Sequence, residues 1–177
     1  MNKKLVLSLL LLVVMSAIYR IIPNRPMGFA PQIAIALFSG SIFMSNKKWA
    51  FCLPLLSMFI SDLLYQILYI NGMTEIQGFY GGQWINYLLI GSIALLGFSS
   101  STSSKLFSGI ILAPTYYFLI SNFIVFISGG GYHRSTLFEC YIDGLPFYVN
   151  SIWATIFFGI TLFGTYDIVS RRILKYE

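Results

Sequence analysis

Six apolar stretches separated by short connections take up nearly the whole of this 177-residue chain. They run over residues 4–22, 31–45, 49–70, 83–98, 106–128 and 145–169. A helix needs about 20 apolar residues to cross the hydrocarbon core of a bilayer. Within that core every backbone N–H and C=O must be satisfied internally, which leaves helices as the natural spanning element for runs of this kind. The second and fourth stretches are short for a span, so they must tilt, recruit loop residues or thin the bilayer around them. With 57% hydrophobic and only 10% charged residues, there is too little polar surface to solvate a globule of this size. The expected fold is all-α: one integral membrane domain, a compact polytopic bundle of six transmembrane helices.

The cations orient that bundle. Lys3, Lys4, Lys47, Lys48, Lys105, Arg171, Arg172 and Lys175 fall in the terminal and even-numbered connections, whereas the odd-numbered ones hold only Arg25 and Arg134. Positive charge marks the cytoplasmic side, so both termini are expected inside. The net charge of +5 is thus a topology signal beside an anionic leaflet, and it points to the lipid bilayer rather than to nucleic acid as a partner. Lys3 and Lys4 followed by LVLSLLLLVVMSA also have the form of a secretory signal with a cleavage point near Ser16. The apolar run continues to Ile22 and no mature soluble start follows, so a retained first helix is expected. Cleavage would leave five spans in the same orientation.

At a rise of about 1.5 Å per helical residue, Arg20 lies about 24 Å from the inner end of the first span, Asp62 about 20 Å along the third and Asn122 about 25 Å along the fifth. Asn86 and Asn150 fall near the outer ends of the fourth and sixth, and Gln66 lies one turn beyond Asp62. Ionisable side chains at membrane depth normally face a bundle interior or an aqueous cavity. Arg20 and Asp62 are each other's obvious partners, either as a structural pair locking two spans together or as contacts for a ligand arriving from outside; a proton relay is a third reading.

The outer connections carry further signals. RIIPNRPMGFAP at 20–31 holds Pro23, Pro26 and Pro31, which deny it a helix and stiffen it. It reads as a shaped plug or as a rigid hairpin, with Pro31 opening the second helix. The triple glycine at 129–131, with His133, Arg134, Glu139, Asp143 and several aromatics, suits a mobile ligand-facing loop. Tyr and Trp concentrate in the outer half, which fits an interfacial belt or a pocket for a flat organic molecule. Ala36 and Gly40 form a small-xxx-small pair that lets helices approach closely, and Pro54 and Pro114 are expected to kink their spans.

No dedicated metal site is expected, because His133, Glu139, Cys140 and Asp143 lack the spacing of an established ligand set. Cys52 and Cys140 lie too far apart in depth for a disulfide. Cys52 is expected in core packing, and Cys140 as a free thiol open to reaction or to a soft ligand. Hydrolase, phosphate-loop and metalloprotease patterns are missing. The expected role is therefore non-enzymatic, with no catalytic residues and no cofactor.

The set Arg20, Pro23, Pro26, Phe29 and Pro31, then AIALFSG at 34–40, PLLSMFISD at 54–62, SNF at 121–123 and CYIDGLPFYVN at 140–150, resembles an uncharacterised family of small bacterial membrane proteins. Its pattern runs R-x-x-P-x-P-x-N-F-x-P, A-L-F-x-G, P-x-x-x-x-x-x-S-D, T-N-F and C-Y-x-x-x-P-F-x-N in the same order. Gly28 and Ser121 depart from it, standing where the pattern has Asn and Thr. That family is similar to the substrate-binding S components of energy-coupling factor (ECF) vitamin transporters, including solitary cobalamin-transporting members. The resemblance implies a six-helix uptake component in the bacterial cytoplasmic (inner) membrane, binding a vitamin-like metabolite near the outer face. It also implies gating by residues 23–31 and 129–145, working with an energising module or alone; a corrinoid substrate would make Cys140 or His133 a candidate cobalt ligand. The A-x-x-x-A docking motif of S components is absent from the first helix. Arg20, Phe29, Asp62, Gln66, Asn86, Asn122, His133 and Asn150 are the candidate ligand-binding residues of this reading. The alternative is a non-transporting membrane scaffold or assembly partner.

Overall fold

The computed structural model describes the backbone of residues 3–98, 103–129 and 136–174, and the side chains of 8–98, 107–129 and 136–168. His133, Arg134 and the triple glycine beyond Gly129 lie outside the described residues. The described residues form six helices: α1 (Lys3–Arg20), α2 (Gln32–Ile42), α3 (Lys47–Ile70), α4 (Gln83–Phe98), α5 (Ser103–Ile127) and α6 (Leu137–Leu174).

Three of them, at Lys47–Ile70, Phe107–Ile127 and Leu137–Ile168, are long and apolar enough to cross a membrane. Large apolar side chains are widely exposed around them, including Phe59, Phe107, Leu112, Phe157 and Ile160, as lipid-facing surfaces require. Among the described residues, α1, α2 and α4 supply shorter apolar segments. At about 1.5 Å per residue, α2 spans only about 16 Å, half of a hydrocarbon core. It is nevertheless buried along most of its length. Residues Gln32 to Gly40 are all buried, and α2 packs against α3, α4, α5 and α6, so it is the central strut of the bundle.

Close packing at α2 depends on glycine. Gly40 lies against the Ala94 carbonyl and Gly97, and Gly97 lies against the Leu37 carbonyl; a Cβ at either position would collide with backbone. The small-residue pair read from the sequence thus acts between α2 and α4. A second device joins α2 to α3. Pro54 lies inside α3 and has no N–H to offer the Ala50 carbonyl one turn earlier. Ser39 of α2 donates to that carbonyl at 2.7 Å, so the proline's missing bond becomes an interhelical one.

The sixth helix begins at Leu137, eight residues before the expected start. Thr136 and Glu139 form a reciprocal cap: the Glu139 N–H donates to Thr136 Oγ1 and the Thr136 N–H donates to the Glu139 carboxylate, each at 3.3 Å. Pro146 is carried within the helix. Both cysteines are free thiols, as expected, but their surroundings are reversed. Cys52 is exposed and Cys140 buried, because Cys140 faces α5 and donates to the Asn122 carbonyl at 3.4 Å.

Candidate ligand-binding site

Polar groups collect at the end of the bundle that carries the α1–α2 and α3–α4 connections. Arg20 ends α1, where a cation complements the helix dipole. Its Nη1 donates to Asp62 Oδ1 at 2.5 Å and to Ser61 Oγ at 2.6 Å, and the Tyr65 hydroxyl donates to its carbonyl at 2.5 Å. Ser61, Asp62 and Tyr65 share one face of α3, so a single helix holds both the side chain and the backbone of Arg20.

Asp62 is 1% exposed and accepts from two neighbouring helices, α1 and α4. Besides Arg20 it takes hydrogen bonds on Oδ2 from Gln83 Nε2 and, at 2.6 Å, from the Tyr87 hydroxyl. Gln83 and Tyr87 are one turn apart on α4. A carboxylate so fully engaged positions Arg20 and ties α1, α3 and α4 together. A second chain runs alongside, with the Tyr117 hydroxyl of α5 donating to Asn86 Oδ1 at 2.9 Å and Asn86 Nδ2 donating to the Tyr80 hydroxyl at 2.6 Å. Burial pushes the Tyr80 hydroxyl above its ordinary pKa.

A cavity of about 220 Å³ opens beside this network, beneath the α1–α2 connection, lined by Arg20, Arg25, Gly28, Ala30, Gln32, Ile33, Met58, Ile90, Tyr117 and Ser151. The connection turns through Asn24 and Gly28, both at positive φ. Gly28 packs on the Phe147 backbone, where no side chain fits. Arg25 braces it from within, donating from Nη1 to the Phe29 carbonyl at 2.6 Å and from Nε to the Arg20 carbonyl at 3.3 Å. From α6, Asn150 donates to the Met27 carbonyl at 2.8 Å and Ser151 to the Gly28 carbonyl at 3.0 Å. On its outer side Arg25 also borders a larger, mostly apolar depression of about 570 Å³ between the two connections.

Gln32 is the distinctive group in the cavity wall. It is 5% exposed, yet neither its amide oxygen nor its nitrogen has a hydrogen-bond partner. It is the first residue of α2, and Pro31 at the N-cap makes no side-chain cap.

The expected site residues therefore divide. Arg20 lines the cavity and Asp62 stands behind it. Asn86 contacts it through Tyr117, and Asn150 holds its roof. Gln66 accepts from the Phe79 N–H at 3.2 Å, fastening the α3–α4 connection to α3. Phe29 sits among Tyr19, Phe157 and Phe158, anchoring the roof to α1 and α6. Asn122 faces Gly144 at the α5–α6 contact, and His133 lies outside the described residues.

Sequence reasoning passed over Arg25, Gln32, Tyr117 and Ser151. Gln32 carried a signal, being an amide placed directly after Pro31 at the head of an otherwise apolar helix. Arg25 was read only as a charge in a connection.

No curated protein and no solved structure matches the chain. The model of a family of unknown function (DUF6580) matches residues 1–176, and the chain belongs to that family.

Proposed function

We propose that this protein is a membrane uptake component that binds a small metabolite in the cavity beneath the α1–α2 connection. All six helices then belong to the membrane domain, with both termini in the cytoplasm and the cavity facing outward across a bacterial inner membrane. The motif resemblance read from the sequence motivates this reading, and the meeting of the proline-rich connection, the S-D motif and the F-Y-V-N segment around one cavity supports it. Its role is binding and passage rather than catalysis, with an energising module or alone.

The observation that carries the proposal is Gln32. A buried amide that no protein group bonds is costly, and such groups persist where a ligand or water from the cavity completes them. A scaffold needs the Arg20–Asp62 anchor but has no use for an unpaired amide in a cavity wall. The test is thermal unfolding of the purified protein against a broad panel of metabolites. A ligand at 100 times its dissociation constant adds about 2.7 kcal/mol, so a binder raises the midpoint saturably. No shift with any compound would favour the scaffold.

A further inference from the structure

We infer that the ligand of this cavity is a compact organic monoanion, a short-chain or single-ring carboxylate, seated on the uncapped N-terminus of α2 between Arg25 and Gln32. This rests on the binding role proposed above and specifies its chemistry.

Three independent features converge on an anion. The first α2 backbone bond runs from the Ile35 N–H to the Pro31 carbonyl, so the N–H groups of the preceding turn have no partner within the helix. No side chain caps them, and residues 30, 32 and 33 line the cavity. Uncapped amides at a helix start favour negative charge.

Arg25 supplies the second feature. Its described hydrogen bonds go to backbone carbonyls from Nε and Nη1, which leaves the Nη2 edge of its guanidinium for a carboxylate oxygen. With Arg20 and Asp62 paired, the two guanidiniums and one carboxylate leave one positive charge at the cavity, and a monoanion neutralises it. The third feature is Gln32, whose amide nitrogen can donate to the same carboxylate while its oxygen accepts from a hydroxyl or N–H on the ligand.

The remaining wall limits the size and character of the molecule. Ile33, Met58 and Ile90 offer a short apolar surface opposite the cations. A volume of about 220 Å³ is room for about seven water molecules, below the range of drug-sized pockets. A macrocycle such as a corrinoid does not fit there.

The experiment uses matched probes: butyrate and benzoate against butyramide and benzamide, titrated at constant ionic strength into the full-length protein in nanodiscs, with the unfolding midpoint as readout. The expected result is a saturable rise with the acids and a response at least about tenfold weaker with the amides. Arg25→Gln and Gln32→Met each weaken acid binding about tenfold or more. Arg25→Lys, which keeps the charge, retains most of it and separates charge recognition from bracing of the connection.

Amides binding as well as acids would overturn the anion assignment and leave a binding protein standing. So would silence from both series in a protein that responds to some compound of the broad panel. Silence in both experiments would overturn the binding role itself.

Discussion

Replacing Gln32 with Met should make the ligand-free protein more stable. The two side chains are close in length and volume, so the change removes an amide without opening a gap. Gln32 is 5% exposed and both amide atoms are unpaired. Mutational series put the cost of an unsatisfied buried polar group at about 1–3 kcal/mol, and removing it should recover up to that amount, less what water in the cavity supplies to the amide. For a chain of this length each kcal/mol moves the midpoint by about 2–4 °C.

Gln83 provides the contrast. It is 7% exposed and its Oε1 is likewise without a partner, but its Nε2 donates to the Asp62 carboxylate. Gln83→Met loses a hydrogen bond to a charged group, about 1.5–3 kcal/mol, partly offset by relief of the unpaired Oε1, and the net change should be a loss. The assay is thermal unfolding of wild type and both variants in one detergent without added small acids. Opposite signs are expected. A Gln32→Met protein that loses stability as Gln83→Met does would show that the Gln32 amide is satisfied internally, and the case for a ligand there would fail.

Other substitutions probe the frame. Asp62→Ala strands Arg20, Gln83 and Tyr87 and should cost about 3–5 kcal/mol; a loss under about 1 kcal/mol, the range of exposed pairs, would contradict the buried anchor. Ser39→Ala should cost about 1–3 kcal/mol by orphaning the Ala50 carbonyl, and much less in a Pro54→Ala background, where residue 54 regains an N–H. Equal costs in the two backgrounds, read from the double-mutant cycle, would refute the link between proline and serine. Gly40→Leu should prevent α2 from seating on α4, seen as loss of a monodisperse folded species; a normal midpoint would refute that packing.

Much of this frame is legible in the residues. Apolar runs separated by charged or proline-containing turns locate six helices, and opposite charges at similar depth on α1 and α3 identify the Arg20–Asp62 pair. Helix lengths were less accessible. The Thr136–Glu139 cap lies inside what composition marks as a loop, and α2 stops at Ile42 although the apolar run continues to residue 45. The cavity was legible only in part. Depth selects conspicuous polar groups, and those are the ones the fold satisfies, such as Asp62 and Asn86. Gln32, with both amide atoms unpaired, carries only the signal of its place after Pro31, and its lack of partners depends on neighbours that the tertiary fold brings together.

The central claim is a ligand cavity open to the outside, and site-directed labelling tests it most directly. Ala30 lines the cavity, so Ala30→Cys, with Cys52→Ala and Cys140→Ser removing the native thiols, places one reactive group on its wall. A membrane-impermeant maleimide applied to intact cells should label this protein, and a bound ligand from the screen should slow the labelling at least about tenfold when nine-tenths or more of the sites are occupied. Labelling only after the cells are opened, or labelling from outside at a rate the ligand leaves unchanged, would contradict the account.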